Sequence, residues 1–112
     1  MKIINLTKNQ ILAEEVFLSA SFLKRLKGLL GYSSIGKNQA MILHPANAVH
    51  TFFMRFPIDV LFVDKNNIVL KAVSNMRPFR ATGIYLKSLF VIELHSGIIN
   101  STQTAEGDYL QI

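Results

Sequence analysis

The chain has no cysteine among its 112 residues. That removes disulfides, thiolate nucleophiles and zinc–thiolate sites together, and leaves nothing that depends on an oxidising compartment. Charge is scarce as well, at 17% of residues against 50% hydrophobic, the reverse of the composition that keeps chains disordered. Long apolar runs are missing. The longest stretch free of Asp, Glu, Lys and Arg, residues 38–54, falls short of the ~20 residues a spanning helix needs and is interrupted by His44, Pro45 and His50. Residues 1–17 break their apolar positions with Asn5, Thr7, Lys8, Asn9 and Gln10, so they predict no secretory leader; a cytoplasmic location is expected. No glycine-rich phosphate loop, dinucleotide fingerprint or serine-nucleophile elbow is present, which sets aside nucleotide chemistry.

What remains is enough for one hydrophobic core, and a single domain over 1–112 is expected from that length. Two apolar patches, 3–6 and 11–18, suit one or two edge strands joined by a polar turn. Phe22, Leu23, Leu26, Leu29 and Leu30 then fall within an arc of about 120° at helical spacing, which predicts an amphipathic helix over 21–30. Ser21 would cap it and Gly31 would end it. Short strands are predicted at 40–43, 49–55, 58–63, 68–73, 89–94 and 109–112. Asp64-Lys65-Asn66-Asn67 would serve as a hairpin turn, and Asn75 to Lys87 as a long surface excursion. Turn-separated strands with one helix near residues 21–30 favour a mainly β fold, a small antiparallel sandwich or partly closed barrel.

The charged residues inside these strands carry the functional reading. An ionised group in an apolar strand costs several kcal/mol unless it is paired or working. Arg55 and Asp59 flank Pro57, so a bend there would let them pair. Glu93 interrupts Phe90, Val91, Ile92 and Leu94 and needs either a donor or an outward position. In one reading Arg55, Asp59 and Glu93 form a hydrogen-bonded bracket that sets strand register; in the other they line a cleft. His44, His50 and His95 lack the spacing that makes imidazoles converge on a metal, so neither a metal nor another cofactor is expected. The formal charge of +5 could attract acidic partners, but its cations are spread out.

The blocks KRLKGLLG, HTFFMRFPIDVLFVDKNNIV, VIELHSG and EGDYLQI, in that order and spacing, resemble domain of unknown function family 192, from about Ser21 to Ile112. The positions that match its recurring residues are Arg25, Gly28, Met54, Arg55, Asp59, Asp64, Glu93, Gly97, Gly107 and Asp108. Asn67 departs from the family, which often has glycine there, as does Ala40, where a glycine often precedes the methionine; asparagine can hold the same left-handed turn. The resemblance implies a small β-sandwich or barrel-like domain and no established activity.

These readings converge on a non-enzymatic accessory or binding module for an unidentified small molecule or protein. Its expected site gathers His50, Thr51, Met54, Arg55, Asp59, Glu93 and Asp108 around the 50–59 corner. One rival is a hydrolase with Asp59 and Glu93 as paired carboxylates. The other, the least favoured, is weak nucleic-acid binding through Arg77, Arg80 and the basic helix.

Overall fold

The computed structural model describes residues 1–19, 35–52 and 54–112. Among the described residues, eight strands and one short helix follow in order: β1 (Ile3–Asn5), β2 (Gln10–Ala13), β3 (Glu15–Ser19), β4 (Gln39–Leu43), β5 (Ile58–Val63), β6 (Val69–Met76), β7 (Phe90–His95), α1 (Ile98–Thr102) and β8 (Leu110–Gln111). They form two sheets, a three-stranded one ordered β2-β1-β8 and a five-stranded one ordered β3-β4-β7-β5-β6. The mainly β class is as expected, in the form of two sheets that do not close into a barrel.

The centre of the larger sheet follows from residue pattern. IDVLFV in β5 is buried at every position and FVIEL in β7 likewise, as expected for strands covered on both faces. Alternation then divides their side chains. Leu61, Val63, Ile92 and Leu94 face the small sheet and pack with Ile3, Leu12, Leu110 and Ile99 in a first core. Ile58, Val60, Phe62 and Val91 face the other way, into a second core with Met41, Val49, Met54 and Met76. Each such side chain stabilises the fold by roughly 1.5–3 kcal/mol through burial.

The turn between β5 and β6 forms as its sequence suggests. The Asp64 carboxylate accepts from the amides of Asn66 (2.8 Å) and Ile68 (3.0 Å), and Asn67 takes φ 63°. Three features differ from the sequence reading. First, β3 and β4 run parallel, which the long connection through residues 20–38 permits because parallel neighbours need a crossover of a dozen residues or more. Second, the described residues of 49–55 form no strand. Their one bridge joins His50 to Ala81, in a partner segment that contains Pro78, which lacks an N–H, and Phe79 at φ 62°, so no regular ladder can propagate. Third, α1 was unforeseen. The expected helix over 21–30 lies outside the described residues.

Candidate functional site

Three carboxylates singled out by sequence sit in three different environments. Asp59 is fully buried on the face of β5 that it shares with Leu61 and Val63. Its partners are backbone amides: Oδ1 accepts from Asn75 (2.7 Å), and Oδ2 from Gly97 (3.1 Å) and Ile99 (2.8 Å). Asn75 lies where the β5–β6 register shifts between Ile58 and Val60 and has φ 51°, so the carboxylate pins a bulge in β6 to the start of α1. Arg55 is exposed, and the ion pairs among the described residues, Lys8–Asp108 and Lys71–Glu106, do not include it. The expected Arg55–Asp59 pair therefore does not form: three amide donors already neutralise the aspartate's hydrogen-bonding demand.

Asp108 is equally well supplied. Its Oδ2 accepts from Asn5 Nδ2 (2.9 Å), Lys8 Nζ (2.9 Å) and the Ala105 amide (2.9 Å). Burial acts to raise its pKa, but the hydrogen bonds from Asn5, Lys8 and Ala105, with the Lys8 charge, outweigh it and hold the carboxyl below its ordinary range. Asn5, itself fully buried, also donates to Thr104 Oγ1 (3.0 Å). This group ties the N-terminal hairpin to the 104–108 turn, away from the 50–59 corner.

Glu93 has none of this. It is 4% exposed, and its side chain makes no hydrogen bond or ion pair among the described residues. In register it lies between Met41 of β4 and Val60 of β5, within the second core. Desolvation lifts its pKa to about 7. Asp59 and Glu93 thus project from opposite faces of one sheet and cannot share a water, which removes the geometry that a paired-carboxylate hydrolase requires. The convergence of Arg55, Asp59 and Glu93 expected from sequence is absent.

The face that holds Glu93 is roofed by two segments, 46–56 and 77–89, joined through Thr51. Fully buried Thr51 donates from Oγ1 to the Arg77 carbonyl (2.6 Å) and accepts there from the Arg80 amide (3.0 Å). Its own amide donates to the Arg80 carbonyl (2.8 Å). Met54, 4% exposed, packs into the second core beside this clasp, and the Tyr85 ring tilts onto Phe62 with centroids 4.4 Å apart. A cleft of about 380 Å³ opens at the edge, lined by residues that include Val73, Asn75, Met76, Arg77, Arg80 and Tyr85. Val73 pairs with Val60, and Val60 with Glu93, so the cleft lies two strands from the carboxyl on the same face.

The histidines stay apart. His50 is exposed, stacks on Phe52 (5.2 Å) and accepts the Phe52 amide at Nδ1; His44 stacks on Phe90. His95, two residues along β7 from Glu93 and on its face, lies 2.7 Å through Nδ1 from the Ile35 carbonyl. The carbonyl can only accept, so the ring nitrogen donates. No group of three or more His, Asp or Glu side chains among the described residues is arranged to hold a metal ion. Sequence reasoning set Thr51 and Met54 on opposite faces of an expected strand but gathered them with Glu93 in one candidate site, left His95 and Tyr85 out of it, and included Asp59 and Asp108, which lie elsewhere. Arg55 and His50 lie at the exposed rim.

Comparisons with known proteins give the chain a family and relatives of the same fold. Residues 3–112 match the DUF192 family, described as "Uncharacterized ACR". A UPF0127 protein of Thermococcus gammatolerans is 30% identical over 115 residues, covering 96% of this chain and 72% of that protein. A UPF0127 protein of Pyrococcus horikoshii is 29% identical over 114 residues, covering 97% and 96%. The fold is similar to the crystal structure of a protein of unknown function from Novosphingobium aromaticivorans, with TM-score 0.85 and 18% identity over 99% of this chain and 82% of that one.

Proposed function

Starting from the premise that the chain belongs to the DUF192 family, we propose that it is a non-catalytic binding module whose ligand reaches Glu93 on the roofed face of the large sheet. The observation that carries this reading is the contrast among its buried acids. Asp59 and Asp108 are saturated by donors, whereas Glu93 is buried without a partner among the described residues. A buried carboxyl needs a donor, and one that finds none among the described residues is a candidate to take it from a ligand. The surrounding Met41, Val60, Met54 and Val91 suit a small molecule with an apolar body and one amine, amide or hydroxyl for the acid. Thr51 serves this site indirectly, by holding the roof in place.

The test is Glu93→Met, which keeps volume and removes the carboxyl. It should raise stability in urea denaturation at pH 8 by roughly 1–3 kcal/mol, and should abolish any melting-temperature shift that a panel of small amines, amides and alcohols gives the wild type. A variant less stable than wild type would make Glu93 a structural group and end the proposal.

A further inference from the structure

A different surface, independent of Glu93, carries its own signal. The 77–89 segment exposes large apolar side chains: Leu86 at 87%, Ile84 at 68% and Phe79 at 57%. This exposure is not that of a loose loop. Thr82 and Tyr85 donate their amides to the carbonyls of Val49 and Asn47 (both 2.9 Å), the Ser88 amide donates to the Tyr85 carbonyl (2.8 Å), and Ser88 Oγ donates to the Ala46 carbonyl (2.9 Å). Tyr85 points inward onto Phe62, and its two neighbours Ile84 and Leu86 are the ones left in water. A rigid mount that holds aliphatic side chains outward lowers the entropic cost of binding through them.

The charge around this tip has one sign. The segment itself carries Arg77, Arg80 and Lys87, and no acid lies between residues 65 and 92; Lys71, further back on β6, is already paired with Glu106 (3.5 Å). The exposed acids Glu14, Glu15 and Glu106 belong to other segments. Aliphatic side chains beside cations fit the boundary of an anionic bilayer, where the former enter the acyl region and the latter meet the headgroups. They fit nucleic acid poorly, because Ile84 and Leu86 have no π face on which a base could stack. We propose that the 77–89 segment docks the protein on anionic lipid membranes, with Ile84 and Leu86 inserted and Arg77, Arg80 and Lys87 at the headgroups.

Sedimentation of the full chain with sucrose-loaded vesicles tests this. The wild type should pellet with vesicles of about three parts phosphatidylcholine to one part phosphatidylglycerol at about 0.1 M salt, and not with phosphatidylcholine alone. The Ile84→Ser/Leu86→Ser double variant should lose about tenfold or more in partitioning through the lost apolar burial. Arg77→Gln/Arg80→Gln should lose it through charge, and both variants should melt as the wild type does. Failure of the wild type to pellet with anionic vesicles, or undiminished pelleting of the serine variant, overturns the proposal. Retention on duplex DNA without vesicle binding would overturn it in favour of a nucleic-acid surface.

Discussion

Glu93 and Asp59 show how the same residue class acquires opposite energetics from its surroundings. Because desolvation raises the Glu93 pKa in the folded state from 4.5 to about 7, the native protein holds a proton that the unfolded chain releases. Its contribution to stability is therefore full below about pH 4.5 and is lost as pH rises toward 7, by up to roughly 3 kcal/mol. Urea denaturation at pH 5 and pH 8 should show this loss in the wild type and not in Glu93→Gln. Asp59 differs in being supplied with donors. Asp59→Ala leaves the amides of Asn75, Gly97 and Ile99 without their acceptor, at a cost of about 3 kcal/mol or more. Calorimetry that found Asp59→Ala as stable as wild type would show that water replaces the carboxylate.

At the scale of elements, what could be read from sequence depended on how local the determining interactions are. The strand 58–63 and its turn were legible because an apolar run and an Asp-led turn declare themselves within ten residues of each other. Helix α1 was not: IINST is short, its preceding Gly97 supplies no side-chain cap, and its first amides are held by Asp59 from about 40 residues away. The same distance hid the fate of Asp59. A nearby arginine seemed the natural partner, whereas backbone amides brought in by sheet assembly took its place. Residues 49–55 alternate like a strand, yet Thr51 spends its hydrogen bonds on the irregular 77–80 segment. That clasp should be locally important and globally modest. Thr51→Val should cost about 1–2 kcal/mol and speed hydrogen exchange at the Phe79 and Arg80 amides well above that at Val91 in the sheet centre. Uniform acceleration at all three would place Thr51 in the global folding unit.

For the molecule as a whole, two acids with opposite shifts set the pH range of stability. Asp108, held below its ordinary pKa by Asn5, Lys8 and Ala105 against the effect of burial, contributes stability present above about pH 4 that is lost as pH falls through its folded pKa. Glu93 takes stability away on the other side, as neutrality approaches. The wild type should therefore melt highest around pH 5. Glu93→Gln should carry that maximum toward neutral pH, and Asp108→Asn should flatten the acid limb while lowering the plateau. A wild-type maximum at pH 7 or above would contradict the desolvated state of Glu93.

The five-stranded sheet ends at β6, whose pairing with β5 shifts register twice. An outermost strand that is bent in this way offers a newcomer no straight row of donors and acceptors to extend. The start of that edge is also taken, since Val69 exchanges hydrogen bonds with the backbone of Gly107 and Asp108 (2.8 and 2.9 Å), so on that side little straight edge is left for another strand to extend.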